Sequence, residues 1–108
     1  MRVAIAGYGT AGQATAILLE AQGHEVTVFE KSPVLGPVGA GFLLQPTGLG
    51  VLARMGLAER ALSLGQRIDE LHGTTPRGRA VMAMRYGDRR PDCFGPGLTR
   101  GALFEFLR

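Results

Sequence analysis

Apolar residues recur along this chain at two different spacings, and each spacing predicts a different kind of element. Short apolar runs at 3–6 and 26–29 are typical of strands. Between them, residues 11–22 place apolar side chains on one face at helical spacing, and Gly23 follows as a stop signal. The first thirty residues are therefore predicted to form a strand, a helix and a second strand.

The middle of the chain changes character twice. Residues 31–45 are rich in glycine and proline and show no regular period, so we expect a loop there. Helical spacing then returns in two segments, 47–56 and 57–64, and each of them is followed or closed by a glycine. These segments are predicted to be two short packed helices.

The last third predicts an antiparallel hairpin and one more helix. Residues 68–75 and 79–86 are strand-like, and Pro76 and Gly78 between them suit the first central and last positions of a turn. Residues 87–98 are expected to form an irregular loop. Thr99 is predicted to cap a helix that carries apolar residues at helical spacing.

A Gly-x-Gly-x-x-Gly motif stands where the first predicted strand meets the first predicted helix. Gly7 allows a sharp turn, Gly9 lets a diphosphate approach the backbone, and Gly12 lets the helix pack closely on the sheet. Glu30 ends the second strand, where a carboxylate accepts hydrogen bonds from an adenosine ribose. This order of elements predicts an adenine dinucleotide site, and the negative charge of Glu30 disfavours a 2′-phosphate, so NADP is not the expected ligand.

Composition and charge indicate which partners and which location to expect. The chain has 108 residues, a net charge of +3 and a single cysteine, Cys93, which cannot form an internal disulfide. Its arginines are scattered among prolines, glycines and acids without a basic helix face, so no nucleic-acid partner is predicted. No apolar stretch is long enough to span a bilayer and the start does not read as a signal sequence, so we expect no membrane association and a cytoplasmic location.

Two further features follow the glycine motif and Glu30: Gly39-Ala40-Gly41 stands before a helix begun by Pro46, and Arg100 is followed by Leu103 and Leu107. On these three features, essentially the whole chain resembles the flavin-dependent aromatic hydroxylases and related single-component FAD monooxygenases. The resemblance implies FAD as cofactor, NAD(P)H as electron donor, O₂ as oxidant and a small, often aromatic, substrate. It identifies no catalytic side chain, and no metal site is predicted.

The motif and the resemblance together imply a set of cofactor-binding residues drawn from the glycine turn, the end of the second strand, the later small-residue loop and the last helix. They are Gly7, Tyr8, Gly9, Thr10, Ala11, Gly12, Glu30, Lys31, Gly39, Ala40, Gly41 and Arg100. The small residues of the 39–41 loop would leave room for a flat ligand.

The predicted fold class is α/β: a Rossmann-like βαβ dinucleotide-binding start with an added antiparallel β-hairpin, forming an incomplete FAD-binding domain. Residues 1–66 would hold the βαβ unit and helices, 67–86 a hairpin of the substrate-domain sheet, and 99–108 the start of a cofactor-contacting helix. Unfinished sheet edges would favour self-association. Two alternatives remain open: an FAD-dependent dehydrogenase or oxidase, and a stand-alone NAD-binding regulatory module, which would continue with a regular third βα unit.

Overall fold

The computed structural model describes every residue from Met1 to Arg108. In chain order its elements are β1 (Arg2–Ala6), α1 (Thr10–Glu20), β2 (Glu25–Phe29), β3 (Gly41–Leu43), α2 (Pro46–Arg54), α3 (Ala58–Leu64), β4 (Gln66–Ile68), β5 (Glu70–Thr74), β6 (Ala80–Arg85), a 3-10 helix (Tyr86–Asp88), β7 (Gly95–Thr99) and α4 (Arg100–Leu107). None of these helices has the length and apolar character needed to cross a bilayer. The chain divides into two compact units: Met1–Gly41 with Thr99–Arg108, and Phe42–Leu98.

The first unit is built on two parallel strands. β1 and β2 pair in register from Arg2 opposite Glu25 to Ala6 opposite Phe29, and they form a two-stranded sheet. Alternate residues of both strands are half-buried, and α1, which joins the strands, packs against them. Strand, helix and strand thus lie where the apolar pattern predicts them, and β1 pairs on one side only.

Helix α4 completes the first unit. The Thr99 hydroxyl oxygen accepts a 3.1 Å hydrogen bond from the Ala102 N–H, which is the predicted N-cap. The apolar residues of this helix are buried and it packs against α1. They are Leu103, Phe104, Phe106 and Leu107. The core of the first unit therefore includes residues from both ends of the chain.

The second unit combines two helices with two small sheets. Helices α2 and α3 pack against each other, and each buries one apolar residue, Leu52 and Ala61. Gly56 takes a φ of +73° in the turn between them. One sheet has the order β3-β7-β4, and the other is the β5-β6 hairpin. Both predicted helices are confirmed. Together with the parallel sheet of the first unit and the antiparallel hairpin of the second, they establish the mixed α/β class.

The hairpin forms as the turn residues predict. β5 and β6 pair antiparallel from Glu70 opposite Arg85 to Thr74 opposite Ala80, with a shift in register after Gly73. Gly78, at a φ of +81°, donates its N–H to the Thr75 carbonyl over 2.9 Å. The first arm is shorter than expected, since Ile68 belongs to β4 and pairs with β7.

Two segments expected to be loops contain strands: 31–45 includes β3, and 87–98 runs into β7. β7 begins Gly95-Pro96-Gly97, which has little intrinsic strand preference, and the strand is stabilised by its neighbours instead. The Pro96 carbonyl accepts a 2.9 Å hydrogen bond from the Leu44 N–H. A Cβ on Gly95 would lie 2.6 Å from the Leu44 carbonyl oxygen, so this close approach requires glycine. Sequence periodicity could not reveal a strand defined by such packing.

Candidate functional site

The glycine turn lies between the end of β1 and the start of α1. Gly7 has a φ of +102°, a conformation that favours glycine, and its N–H donates a 2.7 Å hydrogen bond to the Phe29 carbonyl at the end of β2. A Cβ on Gly12 would overlap the Gly7 carbonyl oxygen and lie 3.6 Å from Cγ2 of Ile5. Both glycines are therefore required by the turn itself, whatever the turn binds.

Gly9 has a different environment. It precedes α1 in an extended conformation, and a Cβ placed on it would meet no atom within 4 Å. No side chain caps α1, so the N–H groups of its first turn, which have no partner within the helix, stay accessible to a ligand. These N–H groups and the positive end of the helix dipole form an environment suited to an anion.

Glu30 follows β2, and its carboxylate is held by two backbone N–H groups. Tyr8 donates to Oε2 over 2.7 Å and Ser32 donates to Oε1 over 2.8 Å. The Tyr8 and Ser32 hydrogen bonds lower the pKa of Glu30, because they stabilise the charged carboxylate. Each oxygen retains a lone pair, so the ionised group can still accept hydrogen bonds from ribose hydroxyls.

Arg100 starts α4 and contacts the loop at 39–41. Its backbone N–H donates a 2.8 Å hydrogen bond to the Ala40 carbonyl. Its side chain lies against the Gly39 backbone, so that a Cβ on Gly39 would be 2.9 Å from Cδ and 3.0 Å from Nε of Arg100. Gly39 has a φ of +99°. The loop and the arginine, far apart in sequence, are thus in direct contact.

These features meet in one cleft of about 300 Å³ within the first unit. Its walls come from the glycine turn, the end of β2 with the following loop, and α4. The lining residues are Tyr8, Gly9, Thr10, Glu30, Ser32, Val34, Leu35, Gly36, Pro37, Val38, Arg100 and Phe104. Val34 and Val38 are 76% and 86% exposed, so the 34–38 wall presents apolar groups that the chain itself does not cover.

The structure brings together five of the predicted cofactor-binding residues, because Tyr8, Gly9, Thr10, Glu30 and Arg100 all line the cleft. The remaining seven are within three positions of a lining residue in the sequence but do not themselves line the cleft. Gly7, Ala11 and Gly12 belong to the turn and the start of α1, Lys31 is exposed next to Glu30, Gly39 and Ala40 contact Arg100, and Gly41 begins β3.

Sequence reasoning missed several cleft residues. Phe104 lies one helical turn after Arg100, so the helical spacing of these two positions was a usable signal. Ser32 follows Glu30 by two residues, and its hydroxyl donates to the Val34 carbonyl over 2.8 Å, which shapes the loop wall. No periodicity marks the apolar wall at 34–38.

The second unit has its own cavity of about 350 Å³, lined largely by charged residues. Arg85 there forms a 2.9 Å ion pair with Glu70, and both side chains are mostly exposed. No group of three histidine, cysteine or acidic residues is placed to hold a metal ion. The first cleft is the stronger candidate for a ligand site, because it combines the uncapped start of α1 with Glu30 and Arg100.

Comparison with known families identifies the cleft-bearing chain. The family model described as "FAD binding domain" matches residues 1–95. The chain belongs to this FAD-binding domain family. The match contains the glycine turn, Glu30 and the 39–41 loop, and it ends before Arg100, so the role of α4 rests on the structure of this chain.

The named relatives of this FAD-binding domain include monooxygenases and hydroxylases. The 3-amino-4-hydroxybenzoate 2-monooxygenase of Streptomyces cremeus is 37% identical over 91 residues, which is 84% of this chain and 21% of that protein. The 3-hydroxybenzoate 6-hydroxylase of Klebsiella oxytoca is 41% identical over 96 residues, 88% of this chain and 24% of that protein. The chain thus spans less than a quarter of each of these relatives.

Solved structures agree with the fold. The tetrameric form of 2-methyl-3-hydroxypyridine-5-carboxylic acid oxygenase matches 98% of this chain and 27% of its own, with a TM-score of 0.84 and 28% identity. Klebsiella pneumoniae HpxO complexed with FAD and uric acid matches 99% of this chain and 28% of its own, with a TM-score of 0.78 and 17% identity. The second likeness shows the shared fold.

Proposed function

We propose that this FAD-binding domain is the dinucleotide-binding start of an FAD-dependent monooxygenase that hydroxylates a small aromatic substrate. The observation that carries the proposal is the meeting of Glu30, the glycine turn and Arg100 in one cleft. β1, α1 and β2 would supply a Rossmann-like βαβ unit for it, and the later β5-β6 hairpin would belong to a substrate-domain sheet. The aromatic hydroxylase names of the relatives support the substrate class.

The residues present fit one end of FAD. The open space at Gly9 and the uncapped start of α1 suit a diphosphate, and the Arg100 guanidinium adds a positive charge to the same cleft. The Glu30 carboxylate suits the adenosine ribose. A volume of about 300 Å³ is at the lower limit for small-molecule sites, so the cleft would enclose part of the dinucleotide.

When bound, FAD supplies the exchange of electrons with NAD(P)H and O₂ that hydroxylation needs. The chain's own residues bind and orient. Glu30 stays ionised, since two N–H groups stabilise its charge, and it therefore serves as a hydrogen-bond acceptor and not as a proton donor. No acid or base for the reaction is assigned within this chain.

FAD binding is tested by titrating FAD into the protein and following flavin fluorescence, with ADP as competitor. We expect ADP to displace FAD, because the cleft would hold the adenosine diphosphate end. Saturable FAD binding that ADP leaves unchanged would contradict the placement of the dinucleotide in this cleft.

The monooxygenase assignment is tested in the polypeptide of the complete reading frame, with 3-hydroxybenzoate and related aromatic acids as trial substrates. We expect NADH or NADPH consumption to be stimulated and one ¹⁸O atom from ¹⁸O₂ to enter the product. Substrate oxidation without ¹⁸O incorporation would instead indicate a dehydrogenase or oxidase.

A further inference from the structure

Gln13 is the one polar residue that this chain buries. It lies in the first half of α1, its side chain is 1% exposed, and its Nε2 donates a 3.4 Å hydrogen bond to the Phe104 carbonyl of α4. The two residues are far apart in sequence, and the bond joins the helix behind the glycine turn to the helix that begins at Arg100. It therefore links the helix that follows the glycine turn to α4, which forms one wall of the cleft.

The other polar atom of this amide has no partner. Oε1 of Gln13 is buried and accepts no hydrogen bond. A buried acceptor without a donor lowers stability, and an apolar side chain of similar size, such as leucine, would avoid that cost. Core packing alone does not account for glutamine at this position.

Phe104 is held from two sides. The Gln13 amide contacts its carbonyl, and the Tyr8 ring meets its ring edge to face, with centroids 5.9 Å apart and planes at 84°. Arg100 is one turn earlier on the same face of α4, and both Arg100 and Phe104 line the cleft. Because Arg100 and Phe104 belong to the same helix, the contacts that hold Phe104 in place also set the position of Arg100 along the cleft wall.

We infer that Gln13 is a positioning residue that sets the place of Arg100 for an anionic diphosphate ligand. The inference rests on the proposed function, since it assigns Gln13 to the same dinucleotide cleft. Gln13 itself touches no ligand in this scheme and acts through α4. The buried Gln13 amide, in which only Nε2 is hydrogen-bonded, lowers the stability of the fold and improves binding of the diphosphate ligand.

The test is a double-mutant cycle with ADP as the probe, read by NMR chemical-shift titration, which measures weak affinities. The proteins are wild type, Gln13→Leu, Arg100→Ala and the double variant. We expect Gln13→Leu to weaken ADP binding about threefold to tenfold, the range for one lost hydrogen bond of ordinary strength. In the Arg100→Ala background the same change should have no further effect, because the residue through which Gln13 acts is gone. The melting temperature of unliganded Gln13→Leu should equal or exceed that of wild type.

The outcomes separate the two proposals. If wild type does not bind ADP, the proposed function fails and this inference fails with it. If wild type binds but Gln13→Leu binds equally well, or if the two losses simply add, the positioning role alone is overturned. Gln13→Met, with a side chain of the same length and no hydrogen-bonding amide, replaces Gln13→Leu in the cycle should the branched side chain prevent folding.

Discussion

The Arg100 side chain lies directly against the Gly39 backbone, with Cδ and Nε 2.9 and 3.0 Å from the place that a Cβ on Gly39 would occupy. Gly39 also has a φ of +99°, which side chains rarely adopt. Gly39→Ala should therefore strain the backbone, at a cost of about 1–3 kcal/mol, and displace the flexible Arg100 side chain. We expect a lower midpoint in urea unfolding together with weaker ADP binding.

Gly36→Ala is the matched control for stability. Gly36 lies in the same loop, has an ordinary φ, and would place a Cβ in open space. It should unfold at the wild-type midpoint or slightly above it, since alanine restricts the unfolded chain. Equal destabilisation by both substitutions would show that the Gly39 conformation is not special.

Glu30→Gln should reduce the preference for ADP over 2′-phospho-ADP. The carboxylate accepts from the Tyr8 and Ser32 N–H groups and would repel a 2′-phosphate, whereas an amide has no charge and would present an NH₂ group to one of those N–H donors. We expect ADP affinity to fall about tenfold to a hundredfold, as for the loss of a hydrogen bond to a charged group, and the ratio of the two affinities to shrink. Glu25→Gln, at the other end of β2, should leave both affinities unchanged. Tighter binding of 2′-phospho-ADP than of ADP to wild type would refute the role of Glu30.

Stability should depend on pH through Glu30. Its folded pKa is lowered below the ordinary value of 4.5 by the Tyr8 and Ser32 N–H groups, so its contribution is fully present above the unfolded pKa and is lost as pH falls through the folded pKa. We expect wild type to be more stable than Glu30→Gln near pH 7 and the difference to shrink progressively below about pH 4.5. Denaturant unfolding of both proteins between about pH 7 and pH 3 measures it. A difference that is constant over this range would show that the carboxylate charge does not contribute.

Arg100→Ala should weaken FAD binding while leaving the melting temperature of the unliganded protein almost unchanged, because the side chain is exposed and the helix keeps its Thr99 cap. Flavin fluorescence titration and thermal unfolding give the two quantities. Arg108→Ala, at the other end of α4, removes the same charge away from the cleft and should bind FAD like wild type. Equal affinities for all three proteins would place Arg100 outside the site.

The free side of β1 should support self-association, since β1 pairs with β2 only and its other edge leaves backbone N–H and C=O groups unpaired. We expect light scattering over a dilution series to show a dimer or larger assembly. Ala4→Lys on this strand should shift the protein toward monomer more than Thr27→Lys, at the paired position on β2. A wild-type protein that stays monomeric at every concentration would contradict the proposal.

The features of this fold that depend on residues close together in sequence were predictable, and those that depend on contacts between distant residues were not. The glycine turn, the Thr99 cap and the 75–78 turn each depend on residues a few positions apart, and all three occur where their sequence signals lie. β7 instead depends on neighbours distant in the chain, so Gly95-Pro96-Gly97 resembles a loop until Leu44 pairs with it.

The site divides in the same way. Glu30 was predicted from residue type and order and Arg100 from the family resemblance, and both line the cleft. The burial of Gln13 against Phe104 was not predictable, because glutamine on a helix is ordinarily a surface residue. Contacts between residues near opposite ends of the chain can be identified only from the tertiary structure.

The hydrogen bond from the Tyr8 N–H to Glu30 joins the carboxylate proposed for the ribose to the glycine turn proposed for the phosphates. The carboxylate that would recognise the sugar also closes the glycine loop that would cradle the phosphates. A single substitution at Glu30 would therefore not be enough to change the ligand preference, because it would also remove the acceptor of the Tyr8 N–H. A redesign toward 2′-phosphorylated nucleotides would have to supply a new anchor for the Tyr8 N–H as well as a new partner for the ribose.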